Sequence, residues 1–518
     1  MKKLVSLLLV FALILSFAPM SAAANDEVTI TIVHTNDIHS RVEGGDKAVG
    51  YARLATLVRE MKSKNRHTLL VDAGDAIHGQ TIATIAKGAP IVELMNAVGY
   101  DYMAAGNHDF NYGYERLLEL NKSMEFQLLS SNVRYKLNNN PIMRSLQIRE
   151  IAGIKVGVFG LTTPETAYKT NPLNVADLKF EDPIVSARRV VDFFKQHHVE
   201  LIVCIGHIGV DKETEITSRD ILKAVPEIDL FVDGHSHTAM EQGEVVGNSL
   251  LVQAGEYSKY VGVVDLNFKG GKLVSAKPRL ITPADVKNVK PDAKVLKLIE
   301  EINEKNKAVT EVHVTKIDVD LDGKREHVRT GETNLGNLIT DAMLADTGAD
   351  IAITNGGGIR ASIPAGDVKL GDIITVLPFG NYVVTLEMTG QAISEALENG
   401  ISDYPGAKGG FPHVAGMVYS FDPEKPVGEK LISVMINGQP LLMDKVYRVA
   451  TNDFLAAGGD QYTSMAASKK VAESIALDEA VMNHMKKEGF VVPAVEGRIS
   501  VKSSNSIYLP VDPTLRTE

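Results

Sequence analysis

The 518-residue chain has no tryptophan and a single cysteine, and only 6% of its residues are aromatic. One cysteine cannot form an internal disulfide, so the fold depends on core packing and on what it binds. That residue, Cys204, sits in the apolar run LIVCIGH and reads as an inert core thiol. Scarce aromatics argue against a platform for stacking single-stranded bases. The formal charge of −11 argues against a long polyanionic partner, because phosphate-backbone binding needs clustered Lys and Arg. A nucleic-acid polymer is therefore not an expected partner, whereas a small phosphorylated ligand needs only a local focus of positive charge. Past the amino terminus, no segment is long and apolar enough to span a bilayer.

What is present begins with an export signal. Lys2 and Lys3 precede an apolar run from Leu4 to Phe17, followed by Pro19 and the small residues Ala22-Ala23-Ala24. Residues 1–24 are expected to be cleaved, leaving a secreted or envelope (periplasmic or extracellular) protein without stable membrane insertion. With 44% apolar residues over this length, the chain has material for two or three domains.

Five β-branched runs each end in a polar cluster: VTITIVHTNDIH (28–39), HTLLVDAGD (67–75), IKVGVFGLT (154–162), ELIVCIGH (200–207) and DLFVDGHSH (229–237). Helical spacing lies between them, at 51–63 and 183–197. Short buried strands alternating with helices predict a layered α/β architecture, with ligands at the strand exits. The pattern changes near Pro283. Residues 291–312 read as one charged amphipathic helix bridging to a second α/β region. That region has a helix near 334–348, the glycine-rich NGGGIR (355–360), and strands near VVTLEMTG and VYRVATNDF.

The strand exits gather Asp37, His39, Asp75, Asn107, His108, His207, His235 and His237. Carboxylates, imidazoles and an amide, with no thiolate, suit divalent ions of intermediate hardness such as zinc or manganese, and argue against a structural zinc site. Two such ions, about 3.5–4 Å apart, need a shared ligand, usually a carboxylate, and Asp75 is the choice here. The pair would activate a water and clamp a phosphoryl group. His108, beside Asn107, would face that group to stabilise charge or protonate the leaving oxygen. Singly, each motif reads as a turn or a surface pair of histidines; joint placement at the ends of buried strands makes them a site.

The order D-x-H, GD, GNH[DE], GH, GHxH resembles the calcineurin-like metallophosphoesterases. HTNDIH, DAGD, GNHDFNYG, NGGGIR, LPFGN and TNDFLAAGGD narrow the likeness to the secreted bacterial 5′-nucleotidase and UDP-sugar hydrolase family, over nearly all of the mature chain. The resemblance implies a mixed α/β (α+β) fold. A four-layer αββα catalytic domain (25–285) would be joined by a linker helix (286–314) to a smaller α/β nucleotide-recognition domain (315–500), with a tail at 501–518. It implies one ion on Asp37, His39, Asp75 and His237, and the other on Asp75, Asn107, His207 and His235. It places Arg329 and Arg360 at the substrate phosphate, with Asn355 opening the NGGGIR motif, Phe379 and Phe454 on either side of the nucleobase, and Asp460 at the ribose hydroxyls. Rotation between the domains would carry the nucleotide to the metals. A monomer is expected.

Two departures matter. The family pairs the GNH histidine with an aspartate three residues on, where this chain has Asn111. An amide orients an imidazole but carries no charge to stabilise imidazolium, so His108 should protonate less readily unless Asp109 or the substrate compensates. His108, Asp109 and Asn111 thus form the candidate catalytic set. GNHxFNYG also resembles the 2′,3′-cyclic-nucleotide phosphodiesterase/3′-nucleotidase relatives, although tyrosines would be expected at their base clamp. Gln461-Tyr462 replaces the usual Gly-aromatic ending after GGD and changes the pocket rim. The leading expectation is an exported phosphohydrolase acting on nucleoside 5′-monophosphates, and also on UDP-sugars. The alternatives are the cyclic-nucleotide enzyme, or a nucleotide-binding scavenger that has lost turnover with Asn111 as the lesion.

Overall fold

The computed structural model describes residues 27–212 and 214–502; the expected signal segment and residues 503–518 of the expected tail lie outside them. Among the described residues, no helix is long and apolar enough to cross a membrane.

The amino-terminal half is built on two six-stranded sheets. The first runs, in spatial order, Lys272–Ile281, Val261–Lys269, Glu27–Thr35, Thr68–Asp72, Tyr102–Ala104 and Gln127–Leu129. The second runs Glu244–Val246, Ser249–Val252, Leu230–Val232, Leu201–His207, Ile154–Thr162 and Leu146–Ile151. The central strands of both are parallel. Such strands are covered on both faces and read as nearly continuous apolar runs. In Glu27–Thr35, Ile30 and Ile32 enter the core between the sheets, while Val33 faces the helices outside.

Helices Tyr51–Lys64 and Ala89–Val98 cover the first sheet through Leu54, Val58, Val92 and Met95. Helices Pro183–Gln196 and Ser218–Ala224 cover the second through Val190, Phe194 and Ile221. The result is the four-layer αββα order. The helix Pro183–Gln196 starts where its sequence says it should: proline occupies the first turn, and the Asp182 carboxylate accepts the N–H groups of Ile184 and Val185.

The bridging helix spans Ala293–Thr310 and buries Val295, Ile299 and Ile302 against the helices of the first sheet. Beyond it, a five-stranded sheet is ordered Pro412–Ala415, Ile351–Asn355, Val446–Asn452, Tyr382–Thr389 and Lys469–Ala476. Helices Asn334–Thr347 and Leu477–Met485 pack on one face of it and Gly390–Ile401 on the other. Val501, where the tail was expected to begin, ends the strand Ile499–Val501, which pairs with Met417–Phe421.

Each strand carrying a motif stops just before or at it. Glu27–Thr35 ends ahead of Asp37, His39 and Ser40, whose φ values of 52°, 47° and 58° are incompatible with extended pairing. The loops after neighbouring strands are then tied together by Asp109. Its fully buried carboxylate accepts the N–H of Gly106 (2.8 Å) and Asp75 (2.9 Å) on one oxygen, and of Ala76 and Ile77 (both 3.1 Å) on the other. Asp109, expected in the catalytic set, lies outside the cavity lining with its carboxyl accepting four backbone amides, and burial together with the Asp75 charge raises its pKa to about 7. Gly106 must be glycine, because a Cβ there would lie 2.3 Å from an Asp75 carboxylate oxygen. Replacing Asp109 by Ala strands four buried donors. Its first urea transition should move to lower denaturant by on the order of 3 kcal/mol of lost stability; an unchanged midpoint would refute the tie.

Candidate active site

Five expected metal ligands hold left-handed backbone: Asp37 (φ 52°), His39 (47°), Asp75 (59°), His235 (75°) and His237 (57°). Each such residue costs on the order of 1 kcal/mol or more and persists only where its surroundings insist on it. Here Asp37 N–H is held by Gly74 O (2.9 Å) and His39 N–H by Asp75 O (2.8 Å). The turns aim the side chains inward, toward the carboxyl ends of the parallel strands.

The residues expected to bind metal meet there. Asp37, His39 and His237 form one group able to hold a cation, and Asp37, Asp75 and His207 form another. One Asp75 oxygen lies 3.7 Å from His39 Nε2 and 3.2 Å from His207 Nε2, so it reaches both halves of the cluster. Asp37 Oδ1 lies 3.4 Å from His237 Nε2 and 4.0 Å from His207 Nε2, which brings a second carboxylate to both halves. Asn107 Oδ1 is 3.2 Å from His207 Nε2. His235 stands beside His207, ring centroids 5.1 Å apart, but turns its Nε2 to Glu165 (2.8 Å). His237 Nδ1 is likewise paired with Glu256. Glu165 and Glu256 escaped the sequence reading; they lie in unmarked loops, and only the fold brings them to the imidazoles.

Two observations fit a pair of divalent cations. His39 Nε2 is buried with no hydrogen-bond partner among the described residues. The donor set of carboxylate, imidazole and amide also suits such ions. The cluster is electrostatically tense. Burial alone would raise the Asp75 pKa, but the His207, His108 and His39 imidazoles hold its carboxyl well below the usual range. Burial would lower His207, and Asp75 and Asp37 reverse it, carrying His207 up to about 10. His237 is likewise lifted to about 9 by Asp37 and Glu256 against its burial.

His108 faces the cavity and Asn111 Nδ2 lies 2.9 Å from its Nδ1. The amide is oriented from behind, its oxygen accepting from Thr170 Oγ1 at 2.8 Å. An amide nitrogen only donates, so His108 Nδ1 accepts and Nε2 carries the proton. Burial, opposed by Asp75 and aided by Arg360, holds the His108 pKa well below its ordinary value.

Across the cavity, of about 720 Å³, stand the residues of the carboxyl-terminal half. Arg329, Arg360, Phe379, Phe454 and Asp460 all line it, as does Arg325, which the sequence reading missed although it precedes Arg329 by one helical turn. Arg325 Nη1 reaches His237 Nδ1 at 3.0 Å. Arg329 is lowered to about 9 by burial and by the Arg325 and Arg360 charges, and its Nε has no partner among the described residues. Three crowded guanidinium groups of this kind call for an anion. Asn355 lines the cavity too, but spends its amide on Asp460 (2.9 Å) and Asn452 (3.1 Å); it positions Asp460. Gln461, at φ 64°, lies on the rim, and Tyr462 is buried, its hydroxyl donating to Gly410 O at 2.5 Å.

Comparison with known proteins agrees in both halves. The calcineurin-like phosphoesterase family model matches residues 30–239, and the 5′-nucleotidase C-terminal domain model matches 310–467. The chain is 35% identical, over 93% of its length, to the trifunctional nucleotide phosphoesterase protein YfkN of Bacillus subtilis, and spans 35% of that longer protein. It is 31% identical to the 5′-nucleotidase of Bos taurus, covering 92% of this chain and 91% of that one. The crystal structure of the 5′-nucleotidase precursor from Thermus thermophilus aligns with a TM-score of 0.79 at 31% identity, covering 92% of this chain and 99% of the other.

The raised imidazoles give a test of the cluster. Both pKa values lie above neutrality, so chelator-stripped protein at pH 7 carries a proton on His207 and on His237 that a coordinating nitrogen must give up. Loading divalent cations should release about two protons, and the apparent affinity should fall as pH is lowered. Calorimetry in buffers of different ionisation enthalpy measures this, and release of no protons would contradict the arrangement.

Proposed function

Because this chain belongs to the 5′-nucleotidase family of calcineurin-like metallophosphoesterases, we propose that it is an exported, monomeric enzyme that removes phosphate from nucleoside 5′-monophosphates. UDP-sugars are its further substrate class. One observation carries the reading: a single cavity is lined on one side by Asp75, Asn107, His235 and His237, with Asp37, His39 and His207 buried directly behind them, and on the other by three arginines with Phe379, Phe454 and Asp460. At about 720 Å³ it falls within the size range of small-molecule sites.

Two divalent cations, zinc or manganese, would be held by Asp37, His39, Asp75 and His237 and by Asp75, Asn107, His207 and His235; when bound they supply an acidified water and charge neutralisation at the phosphoryl group. The chain's own residues do the rest. Arg329, Arg360 and Arg325 grip the phosphate oxygens, relieving their mutual repulsion. Phe379 and Phe454 take the base between them, and stacking of this kind accepts any base. Asp460, held by Asn355, accepts from the ribose hydroxyls. His108 donates a hydrogen bond from Nε2 to the phosphoryl group as a neutral imidazole. The division into catalytic domain (25–285), linker helix (286–314) and nucleotide-recognition domain (315–500), with cleavage of residues 1–24 during export, belongs to the same reading.

A second reading, a 2′,3′-cyclic-nucleotide phosphodiesterase with 3′-nucleotidase activity, is favoured by Asn111 in GNHDFNYG. Phosphate release from AMP, 3′-AMP, 2′,3′-cyclic AMP and UDP-glucose, with and without chelator, separates the two. AMP should be the best substrate and chelator should abolish its turnover. Preference for the cyclic substrate would install the second reading, and binding without release throughout would make the protein a scavenger.

Asn111→Asp tests the protonation state. A carboxylate at 111 accepts from Nδ1–H and favours imidazolium, so the His108 pKa rises and its proton is lost only as pH climbs through the new value. In the wild type His108 is already neutral across that range. The variant should therefore gain kcat on AMP below about pH 7 by on the order of tenfold, short of the ~10²-fold a fully positioned acid contributes, and lose it above. Superimposable pH–kcat profiles would refute the assignment.

A further inference from the structure

His78 lies three residues past Asp75, is 1% exposed, and has no part in the chemistry above. Its ring belongs to the amino-terminal half, yet its Nε2 sits 3.2 Å from the carbonyl oxygen of Pro378 in the other half. A carbonyl only accepts, so Nε2 carries the proton. Burial, reinforced by the Arg360 charge, lowers its pKa to about 3 and leaves the ring neutral.

The residue after Pro378 is Phe379, and the three rings of His78, Phe379 and His108 pack as a triangle. Their centroids are 5.0 Å (His78 to Phe379, 26° between planes), 5.9 Å (His78 to His108, 14°) and 5.6 Å (His108 to Phe379) apart. Tyr112 packs on His78 from outside the triangle, with ring centroids 5.1 Å apart. Neither partner is free to drift. Gly79 is pressed so closely on His39 that an added Cβ would stand 2.3 Å from its carbonyl oxygen, which pins the His78 loop to the cation cluster. On the other side, the planar peptide bond after Pro378 holds the bonded carbonyl rigidly to the N–H and Cα of Phe379.

We propose that His78 is a positioning residue for nucleobase recognition: by holding the Pro378 carbonyl and packing on Phe379, it sets the base-stacking ring at a fixed place relative to the catalytic centre. This rests on the nucleotide reading above. Binding of the base is then controlled in part from the catalytic half. The phosphate end is held independently, because other hydrogen bonds cross between the halves: Arg41 Nη2 to Arg360 O (3.4 Å) and Asn171 Nδ2 to Asp453 Oδ2 (3.2 Å). Loss of the His78 bond should therefore weaken binding of the base and spare phosphate chemistry.

His78→Leu keeps apolar bulk and removes the donor, whereas His78→Gln keeps a side-chain N–H. In metal-loaded full-length protein, kcat/KM is compared for AMP and for ribose 5-phosphate, which has no base. The AMP-to-ribose 5-phosphate ratio should fall about tenfold in His78→Leu, the size of effect a lost hydrogen bond and a mis-set ring contact produce, and return toward the wild-type value in His78→Gln. Ribose 5-phosphate turnover should stay within about twofold of wild type. An unchanged ratio overturns the proposal, and so does a parallel loss on both substrates, the mark of general damage. Affinity for adenosine by calorimetry provides an arm that needs no turnover. If the wild type hydrolyses neither phosphoester, the nucleotidase reading falls, and adenosine affinity decides for His78: weakening in His78→Leu supports it, and equal affinity or no wild-type binding overturns it.

Discussion

The position of the Asp75 carboxylate is the constraint on which the rest depends. Its backbone is left-handed, its N–H is held by Asp109, one oxygen accepts the His108 N–H at 2.8 Å, and the other lies between His39 and His207. A carboxylate this deeply buried is tolerable only with positive or donating groups around it. The imidazoles supply them. Two loops of the first sheet and one strand end of the second thus share one charge, which ties together the exits of both sheets at the point where chemistry is possible. Moving any of these loops uncovers the charge, so the strained turns persist.

The charge distribution makes sense in the same terms. The chain is acidic overall, yet Arg325, Arg329 and Arg360 are brought to one wall of the cavity, where burial and mutual repulsion depress Arg329. Facing them is a wall of carboxylates that cations would neutralise. Neither wall is comfortable alone. A phosphate between them would satisfy the guanidinium groups, so local focusing matters more than net charge. The direct contact of Arg325 with His237 shows how closely the two walls approach.

Much of this was readable from residue order, for a physical reason. Parallel strands covered on both faces must be apolar throughout, so runs such as 154–162 and 200–207 stand out, and the polar residues that interrupt them sit at the carboxyl ends by construction. Asp37, His39, Asp75, His207 and His237, which the fold brings into groups able to hold a cation, were legible because each is adjacent to such an end, and the bridging helix because its apolar spacing is regular. What could not be read are partnerships between distant loops. Asp109 looks as catalytic as His108 in GNHD; only the fold shows four amides converging on it. Asn355 looked like a substrate contact, but Asp460, 105 residues away, occupies its amide. Glu165, Glu256 and His78 carry no local signal, and Arg325 carried a weak one in its spacing from Arg329.

Asn111 shows how a departure from the family pattern can be consistent with its setting. A carboxylate there would favour imidazolium at His108, but His108 is half-buried, largely desolvated by its surroundings and close to the Arg360 guanidinium, and both effects oppose a positive charge on it. The amide agrees with those surroundings. It donates to a neutral ring, and the two groups that fix it, Thr170 Oγ1 on its oxygen and Asn174 Nδ2 on its backbone carbonyl, keep it donating. A carboxylate would also have to share its charge with the Asp75 cluster on the other side of His108. The residue type at 111, the burial of the ring and the nearby arginine therefore select the same protonation state, and a change at 111 alone sets the new side chain against the other two.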